Sequence, residues 1–242
     1  MRFIFLAAGK SKRIFDKIKK NKCLINIKKK PLIKILVDEV KKTNIKNISI
    51  VTGFRSKVLQ KKLSNLKDVD FLYNEKFKST EMLYSLILGL KSYDDDIVIS
   101  YSDILFDHNI LKRFIKKKNK EITIPILKNW KKVWKIRNKD PLIDGETLYL
   151  KNKGYLKSIG NKIKSLDQVK YQYMGLIAIP KDKRKKILNL YSKIKKNKKM
   201  HASEFLNYLL KKNVVIKTVV INKGWYEFDD YEDLINFKKN YK

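Results

Sequence analysis

Short apolar runs and helical repeats alternate along the first half of the chain. The apolar runs predict buried strands at residues 2–6, 47–52, 69–73 and 97–99. Apolar residues at helical spacing predict helices at residues 31–42, 55–64 and 81–91. Because parallel strands are joined by crossover helices, this alternation predicts an α/β fold with a doubly wound, mostly parallel sheet through residue 117.

The second half is richer in short strands. The predicted strands are at residues 121–126, 131–137, 146–150, 155–159, 171–179, 214–220 and 225–228. The predicted helices are at residues 181–196, 202–211 and 230–239. The chain has no Pro/Gly/Ser-rich linker and no internal repeat. We therefore predict one domain, 1–242, in which residues 118–242 form a β-rich insertion around the sheet begun by residues 1–117.

The composition predicts the class of protein and the cellular compartment in which it functions. The apolar content of 43% is typical of a globular chain and argues against disorder. No apolar run is long enough to span a bilayer, and the N-terminal strand lacks the flanks of a signal peptide. The lone cysteine, Cys23, has no partner for an internal disulfide. These features predict a cytoplasmic protein with no membrane partner.

The net charge of +34 raises the alternative of a basic nucleic-acid-binding protein. Only six of the 58 basic residues are arginine, and lysine is spread along the whole chain. Specific readers of nucleic acid rely more on arginine, whose planar fork matches base edges and phosphates. We therefore expect no specific nucleic-acid partner, although the positive field should speed the arrival of an anionic substrate.

The first predicted strand runs directly into a loop of small and basic residues, Ala7-Ala8-Gly9-Lys10-Ser11-Lys12-Arg13. Small residues let backbone N–H groups approach an anion, Gly9 permits a sharp turn, and Lys12 and Arg13 add positive charge. The loop has neither the ending of a Walker loop nor the repeated glycines of a dinucleotide-binding loop. It is a candidate polyphosphate site, with a simple chain turn as the alternative.

Two aspartates follow predicted strands that lie far apart in the chain. Asp103 follows the fourth strand of the first half, and Asp229 follows the last strand. Ligands of open α/β sheets bind at the carboxyl ends of strands, and nucleotide-bound Mg²⁺ takes one or two carboxylates. The two acids form a metal site if the fold brings them together, and the alternative is a turn or helix cap. Asp230, with Asp233 three residues on, predicts such a cap.

Several motifs resemble those of sugar nucleotidyltransferases, in the same order over nearly the whole chain. Leu6–Arg13, Lys22–Leu24 and Lys30–Ile33 are similar to the opening segments L-A-A-G-x-G-x-R, P-K-x-L and K-P-L-[IL]. Ser102-Asp103 resembles the G-D metal motif of that family, and Trp225–Asp229 resembles its late W-x-E-[IV]-D motif.

Other stretches resemble a narrower branch, the cytidylyltransferases similar to phosphocholine cytidylyltransferase. Ser79–Met82 is similar to a segment containing T-N-M, and Ser100–Ile104 is similar to S-Y-G-D-I. Members of this branch activate phosphocholine, phosphoglutamine or 2-aminoethylphosphonate. The chain departs from the pattern because Ser11 and Ser102 replace glycines and Glu81 replaces an asparagine. These departures leave open an inactive relative that still binds nucleotide.

The resemblance implies a Rossmann-like nucleotide-diphospho-sugar transferase fold and transfer of CMP from CTP to a small phosphorylated or phosphonate acceptor. Residues 1–117 would bind the nucleotide and residues 118–242 the acceptor, and a homodimer stays open. Arg13 and Lys22 would be catalytic, and Asp103 and Asp229 would hold Mg²⁺. The implied nucleotide-binding residues are Leu6, Ala7, Ala8, Gly9, Lys12, Asn74, Thr80, Ser85 and Ser102.

The acceptor is the least determined part of this hypothesis. A choline-like head group favours an aromatic cage, whereas an amino-acid head group favours a carboxylate beside a cation, as Glu146 and Arg137 could supply. Core packing is the alternative for each aromatic residue. The candidate acceptor-binding residues are Trp130, Trp134, Arg137, Glu146, Tyr173 and Glu227. The alternative enzyme is a sugar-1-phosphate nucleotidyltransferase that uses UTP or dTTP.

Overall fold

The structure is a computed structural model that describes residues 1–66, 68–115, 120–137, 139–195 and 199–241. Its strands are β1 Arg2–Ala7, β2 Asn26–Ile27, β3 Lys30–Pro31, β4 Asn47–Thr52, β5 Val69–Tyr73, β6 Ile97–Tyr101, β7 Ile104–Phe106, β8 Ile122–Leu127, β9 Glu146–Leu150, β10 Leu156–Lys162, β11 Gln172–Tyr173, β12 Leu176–Ile179, β13 Ile216–Ile221 and β14 Trp225–Glu227. The four strands predicted in the first half are confirmed.

Helices connect most of these strands. The α-helices are α1 Lys12–Ile18, α2 Leu32–Lys41, α3 Ser56–Lys62, α4 Met82–Ser92, α5 His108–Phe114, α6 Trp130–Arg137, α7 Pro141–Asp144, α8 Lys181–Ser192, α9 Ala202–Lys211 and α10 Tyr231–Asn240. Short 3₁₀ turns lie at Lys22–Leu24, Asn152–Gly154 and Leu166–Gln168. Within the described ranges, no helix is long and apolar enough to cross a membrane.

An eight-stranded sheet organises the chain in the order β11-β8-β12-β6-β1-β4-β5, with β13 paired to β8. Strands β5, β4, β1 and β6 are parallel, as predicted, and β12 enters antiparallel between β6 and β8. Strands from the second half therefore complete the sheet that the first half begins. The fold class predicted from the sequence, a mixed, mostly parallel α/β sheet flanked by helices, is confirmed.

Both faces of the sheet are covered by helices, which explains why its central strands are continuously apolar. Along β1, Phe3 and Phe5 belong to one buried cluster, whereas Ile4 and Leu6 belong to the other. The first cluster takes its helical residues mainly from α2, α5, α6 and α10, and the second from α4, α8 and α9. This two-sided burial leaves the strand ends as the accessible part of the sheet.

The strand predicted over residues 131–137 is wrong, because this segment is helix α6. Its buried side chains are Trp130, Val133, Trp134 and Arg137, which recur at the three- and four-residue spacing of a helix. The aromatic and β-branched residues in the segment favoured a strand and concealed this spacing. Helix α6 therefore presents its buried face to α10.

Two further predictions are refined. The strand predicted over residues 171–179 is divided into β11 and β12, because Gly175 between them has a φ of +73° and lies against the ring of Tyr101. The predicted helix cap at Asp230 is confirmed, since its carboxylate accepts a hydrogen bond from the Asp233 N–H. The predicted helix end at residue 196 and the predicted boundary between residues 117 and 118 lie outside the described residues.

Candidate active site

The carboxyl ends of β1 and β6 open into a cleft with a narrow inner part and a wider outer part. The inner part has a volume of about 170 Å³ and is lined by the loop Leu6–Gly9, Thr80, Ser102 and Asp103. The outer part has a volume of about 620 Å³ and includes Asp229. The two parts share Lys22 and Asp103, so that one continuous cleft runs from the opening loop to the second half of the chain.

The two aspartates singled out in the sequence meet at this cleft. Lys22 Nζ donates to Asp103 Oδ2 at 2.9 Å and to Asp229 Oδ1 at 3.3 Å. Arg13 also reaches Asp229 Oδ1, with a distance of 3.0 Å from its terminal nitrogen. Asp229 is therefore in direct contact with two cations, Lys22 and Arg13, that lie more than 200 positions before it in the chain.

Backbone pairing explains this convergence. Strand β14 pairs antiparallel with β7, with Glu227 opposite Ile104. The pairing continues for one more hydrogen bond, from the Phe228 N–H to the Asp103 carbonyl at 2.9 Å. Because Asp103 precedes β7 and Asp229 follows β14, this two-stranded ladder places the acids at the same end.

Neighbouring charges stabilise the ionised forms of Lys22 and Asp229. Burial lowers the pKa of Lys22, but the neighbouring carboxylates of Asp103 and Asp229 outweigh it, and the pKa lies above its usual value. Burial raises the pKa of Asp229, but Lys22, Arg13 and Arg137 together hold it below its usual value. At neutral pH the pair of Lys22 and Asp229 is therefore an ion pair.

The opening loop is joined to the cluster by two serines that replace family glycines. Ser102 Oγ donates to the Leu6 carbonyl at 2.7 Å, which connects the ends of β6 and β1. Ser11 Oγ accepts from the Lys22 N–H at 3.0 Å, and Ser11 has a left-handed φ of 55°. The left-handed conformation costs a residue other than glycine roughly 1–2 kcal/mol. The hydrogen bond from the Lys22 N–H to Ser11 Oγ offsets part of this cost. Gly9 does not have a positive φ, and a Cβ there would meet nothing within 4 Å.

Comparison with known proteins identifies the family. Residues 3–159 match the MobA-like NTP transferase domain, which accounts for more than half of the chain. The chain belongs to the MobA-like NTP transferase family. It is therefore a nucleotidyltransferase, and the resemblance read from the motifs is confirmed.

Individual relatives extend over almost the whole chain. The CTP:phosphoglutamine cytidylyltransferase of Campylobacter jejuni is 29% identical over 249 residues, which is 97% of this chain and 98% of the relative. The inositol-1-phosphate CTP transferase from T. maritima has a TM-score of 0.78 at 20% identity, covering 96% of this chain and 90% of the other. The CTP:phosphocholine cytidylyltransferase from Streptococcus pneumoniae has a TM-score of 0.77 at 17% identity, covering 100% and 99%.

The predicted nucleotide-binding residues of this transferase divide into two groups. Lys12 lines the outer cleft beside Arg13, which was predicted to be catalytic, and the inner cleft is lined by Leu6, Ala7, Ala8, Gly9, Thr80 and Ser102. Asn74 and Ser85 are buried beneath it, where Asn74 Nδ2 donates to Ser85 Oγ at 3.0 Å. The structure therefore gives these two residues a supporting position, in which they fix the segment before α4.

Three of the predicted acceptor residues line the outer cleft. They are Glu146, Tyr173 and Glu227. Glu146 accepts from Ser203 Oγ at 3.0 Å, and the ring of Tyr173 packs edge-on against Tyr101. Glu81, which departs from the family pattern, lines both parts of the cleft. Carboxylates and aromatic rings therefore share one wall, although the chain as a whole is strongly basic.

The other three predicted acceptor residues require correction. Trp130 and Trp134 are each only 2% exposed and pack edge-on in the core, because α6 turns its apolar face towards α10. Arg137 is fully buried and bonds to Glu227, Asp229 and Asp233, so that its guanidinium is engaged inside the fold. An aromatic cage built from these tryptophans is therefore excluded.

Sequence reasoning missed the residues behind the cluster. Asp233 is fully buried and accepts from the Asp229 N–H at 2.6 Å, while Lys139 Nζ reaches Asp233 at 2.9 Å. The only signal in the sequence was the spacing between Asp230 and Asp233, which indicates a helix cap. The contact of Asp233 with Arg137 depends on the docking of α6 against α10.

Cys23 should react slowly with thiol reagents in the folded protein. Its thiol is buried, and burial raises its pKa to about 12, whereas the pKa of an ordinary thiol is about 8.5. We expect labelling by a chromogenic disulfide reagent to stay slow between pH 7 and 9 and to become rapid in denaturant. The Cys23→Ser variant is the unlabelled control, and fast labelling of the native protein that increases with pH would contradict the buried position.

Proposed function

We propose that this protein is a cytidylyltransferase that transfers CMP from CTP to a small phosphorylated amine, amino acid or phosphonate and releases pyrophosphate. The observation that carries the proposal is the placement of Lys22 between Asp103 and Asp229, beside the opening loop. The C. jejuni, T. maritima and S. pneumoniae relatives support the choice of nucleotide, because each of their names specifies CTP.

The acidic pair fits a divalent cation. Asp103 Oδ1 is buried and meets no hydrogen-bond donor among the described residues, so that a polar oxygen is left for a ligand. Mg²⁺ bound with nucleotides takes one or two protein carboxylates and completes its shell with phosphate oxygens and water. Asp103 and Asp229 would hold the ion, which when bound neutralises and polarises the α-phosphate.

The reaction itself needs positioning and charge neutralisation more than acid–base chemistry. An oxygen of the acceptor phosphate attacks the α-phosphorus of CTP, a new P–O bond forms, and the bond to the leaving pyrophosphate breaks. A phosphate dianion already carries the attacking lone pair at neutral pH, so that no general base is required. The protein therefore has to bring two anions together in line.

Lys22 and Arg13 are suited to this task. In the structure both cations are bound to carboxylates, and the Arg13 side chain is 63% exposed. We propose that, when CTP binds, both side chains give up some of their hydrogen bonds to carboxylates and donate to the phosphates instead. There they stabilise the charge that builds up on the leaving pyrophosphate. The loop Leu6–Gly9 would contribute backbone N–H and C=O groups to the nucleotide.

The outer cleft supports an acceptor with a positively charged head group. Glu81, Glu146 and Glu227 line this region together with the rings of Tyr101 and Tyr173. Carboxylates attract an ammonium group, and aromatic faces favour it further. The sugar ring of a sugar 1-phosphate is uncharged and makes no use of the carboxylate charge, which is why we place the sugar-1-phosphate activity second.

A panel of nucleotides and acceptors tests the proposal. The purified protein is incubated with CTP, UTP, dTTP or ATP and with phosphocholine, phosphoglutamine, 2-aminoethylphosphonate or a sugar 1-phosphate, with and without Mg²⁺. We expect pyrophosphate release only with CTP, a phosphorylated or phosphonate amine, and Mg²⁺, and chelation should stop it. Release with UTP or dTTP and a sugar phosphate would instead establish the alternative enzyme.

A further inference from the structure

Arg137 occupies an unusual position for a charged residue, because its side chain is fully buried. Its Nε lies 3.0 Å from Asp233 Oδ1, and one terminal nitrogen lies 3.0 Å from Asp229 Oδ2. The other terminal nitrogen lies 3.2 Å from Glu227 Oε2, and the guanidinium plane lies over the ring of Trp134. All three edges of the guanidinium are therefore engaged, and two of them reach residues of the cleft.

The two oxygens of Asp229 have different partners. Oδ2 is bound by Arg137 from behind the site, whereas Oδ1 is contacted by Lys22 and Arg13, both of which line the cleft. Asp233 fixes the backbone at the same point, because its Oδ2 accepts from the Asp229 N–H. Arg137 thus holds Oδ2 of the Asp229 carboxylate, and Asp233 holds the backbone N–H of the same residue.

We infer that Arg137, itself held by Asp233, is a positioning residue that presents Asp229 to the cleft through Oδ1 alone. This inference rests on the proposed function, in which Asp229 is a ligand of the divalent ion. With Oδ2 held by Arg137, Asp229 would offer the ion its other oxygen and would keep its orientation when Lys22 and Arg13 contact the nucleotide. Residues behind metal ligands act in this way in many metal sites.

The geometry explains why the residue is an arginine. A guanidinium has donors at fixed angles that can reach three carboxylates at once, whereas a lysine ammonium is a single point of charge on a flexible stem. Burial without these carboxylates would be strongly unfavourable. The neighbouring Lys139 also contacts Asp233 and balances part of the remaining negative charge.

The test measures metal binding separately from turnover. Binding of Mn²⁺ to the protein with CTP is followed by electron paramagnetic resonance for wild type, Arg137→Lys and Arg137→Gln, and thermal unfolding of the metal-free proteins is recorded in parallel. The matched control is Arg184→Lys, since Arg184 pairs with Asp94 at 2.6 Å and neither residue is among those that line the cleft. We expect both Arg137 variants to bind Mn²⁺ about 10- to 100-fold more weakly, as is typical when a supporting residue of a metal site is removed.

Each outcome has a distinct meaning. Weaker Mn²⁺ binding by a folded Arg137 variant, with Arg184→Lys unchanged, supports the positioning role. Mn²⁺ affinity within twofold of wild type in either folded variant overturns it, and so does unfolding of both variants, because the residue then serves only the fold. A wild-type protein that binds no Mn²⁺ with CTP and releases no pyrophosphate contradicts the proposed function instead.

Discussion

Replacing either Asp103 or Asp229 by asparagine is expected to reduce turnover by at least about a thousandfold, which corresponds to losing several kcal/mol of transition-state stabilisation. Asparagine keeps the size of the side chain but removes the negative charge that attracts a divalent ion. Asp103→Asn alters the carboxylate whose Oδ1 meets no donor among the described residues. Asp229→Asn removes the negative charge that Lys22, Arg13 and Arg137 neutralise. Turnover is measured as pyrophosphate release with CTP, Mg²⁺ and the best acceptor from the panel.

A matched control separates this effect from a change in overall charge. Asp94 forms ion pairs with Lys181 and Arg184 on the surface, and Asp94→Asn should retain full activity. Circular dichroism and thermal unfolding establish that the Asp103→Asn and Asp229→Asn proteins are folded. Full activity in either folded variant would contradict the metal-binding role that we propose for that residue.

Substituting methionine for Lys22 is expected to reduce turnover by about 100- to 1000-fold, the effect of removing one strong electrostatic contact to a transition state. Methionine retains the apolar stem and deletes the charge between Asp103 and Asp229. Turnover at saturating CTP should fall, since the developing charge on pyrophosphate loses a cation. The matched control is Lys41→Met, because Lys41 also pairs with an aspartate, Asp68, but on the surface.

The same variant should have a characteristic dependence of stability on pH. Because the pKa of Asp229 is lowered in the folded protein, its ion pair with Lys22 stabilises the fold fully above the usual carboxyl pKa, and this stabilisation is lost only as the pH falls to the lowered pKa. The difference in unfolding free energy between wild type and Lys22→Met should be complete above about pH 5 and should decrease as the pH falls below about 4, the usual carboxyl pKa, towards the lowered pKa of Asp229. A difference that is constant with pH would argue against the ion pairs, and unchanged turnover would reject the catalytic role.

Local patterns of residues predicted much of the secondary structure and of the candidate site. The strands of the first half were predictable because buried parallel strands are continuous apolar runs, and β4 and β5 match their predicted ranges. Helix α6 was not predictable in the same way, since its aromatic and β-branched residues also favour a strand. The motifs around Asp103 and Asp229 were recognisable because they resemble those of a known family in residue type and in order along the chain.

The sequence by itself determined the α/β class, the family and the acids and bases of the cleft, because these depend on residue type and order along the chain. Only the tertiary structure decided which groups meet. The pairing of β7 with β14 places Asp103 and Asp229 beside Lys22. The docking of α6 against α10 places Arg137 against Oδ2 of Asp229, whereas the sequence pattern predicted that Arg137 contacts the acceptor. Such contacts depend on register and packing between distant segments, and no local pattern of residues records them.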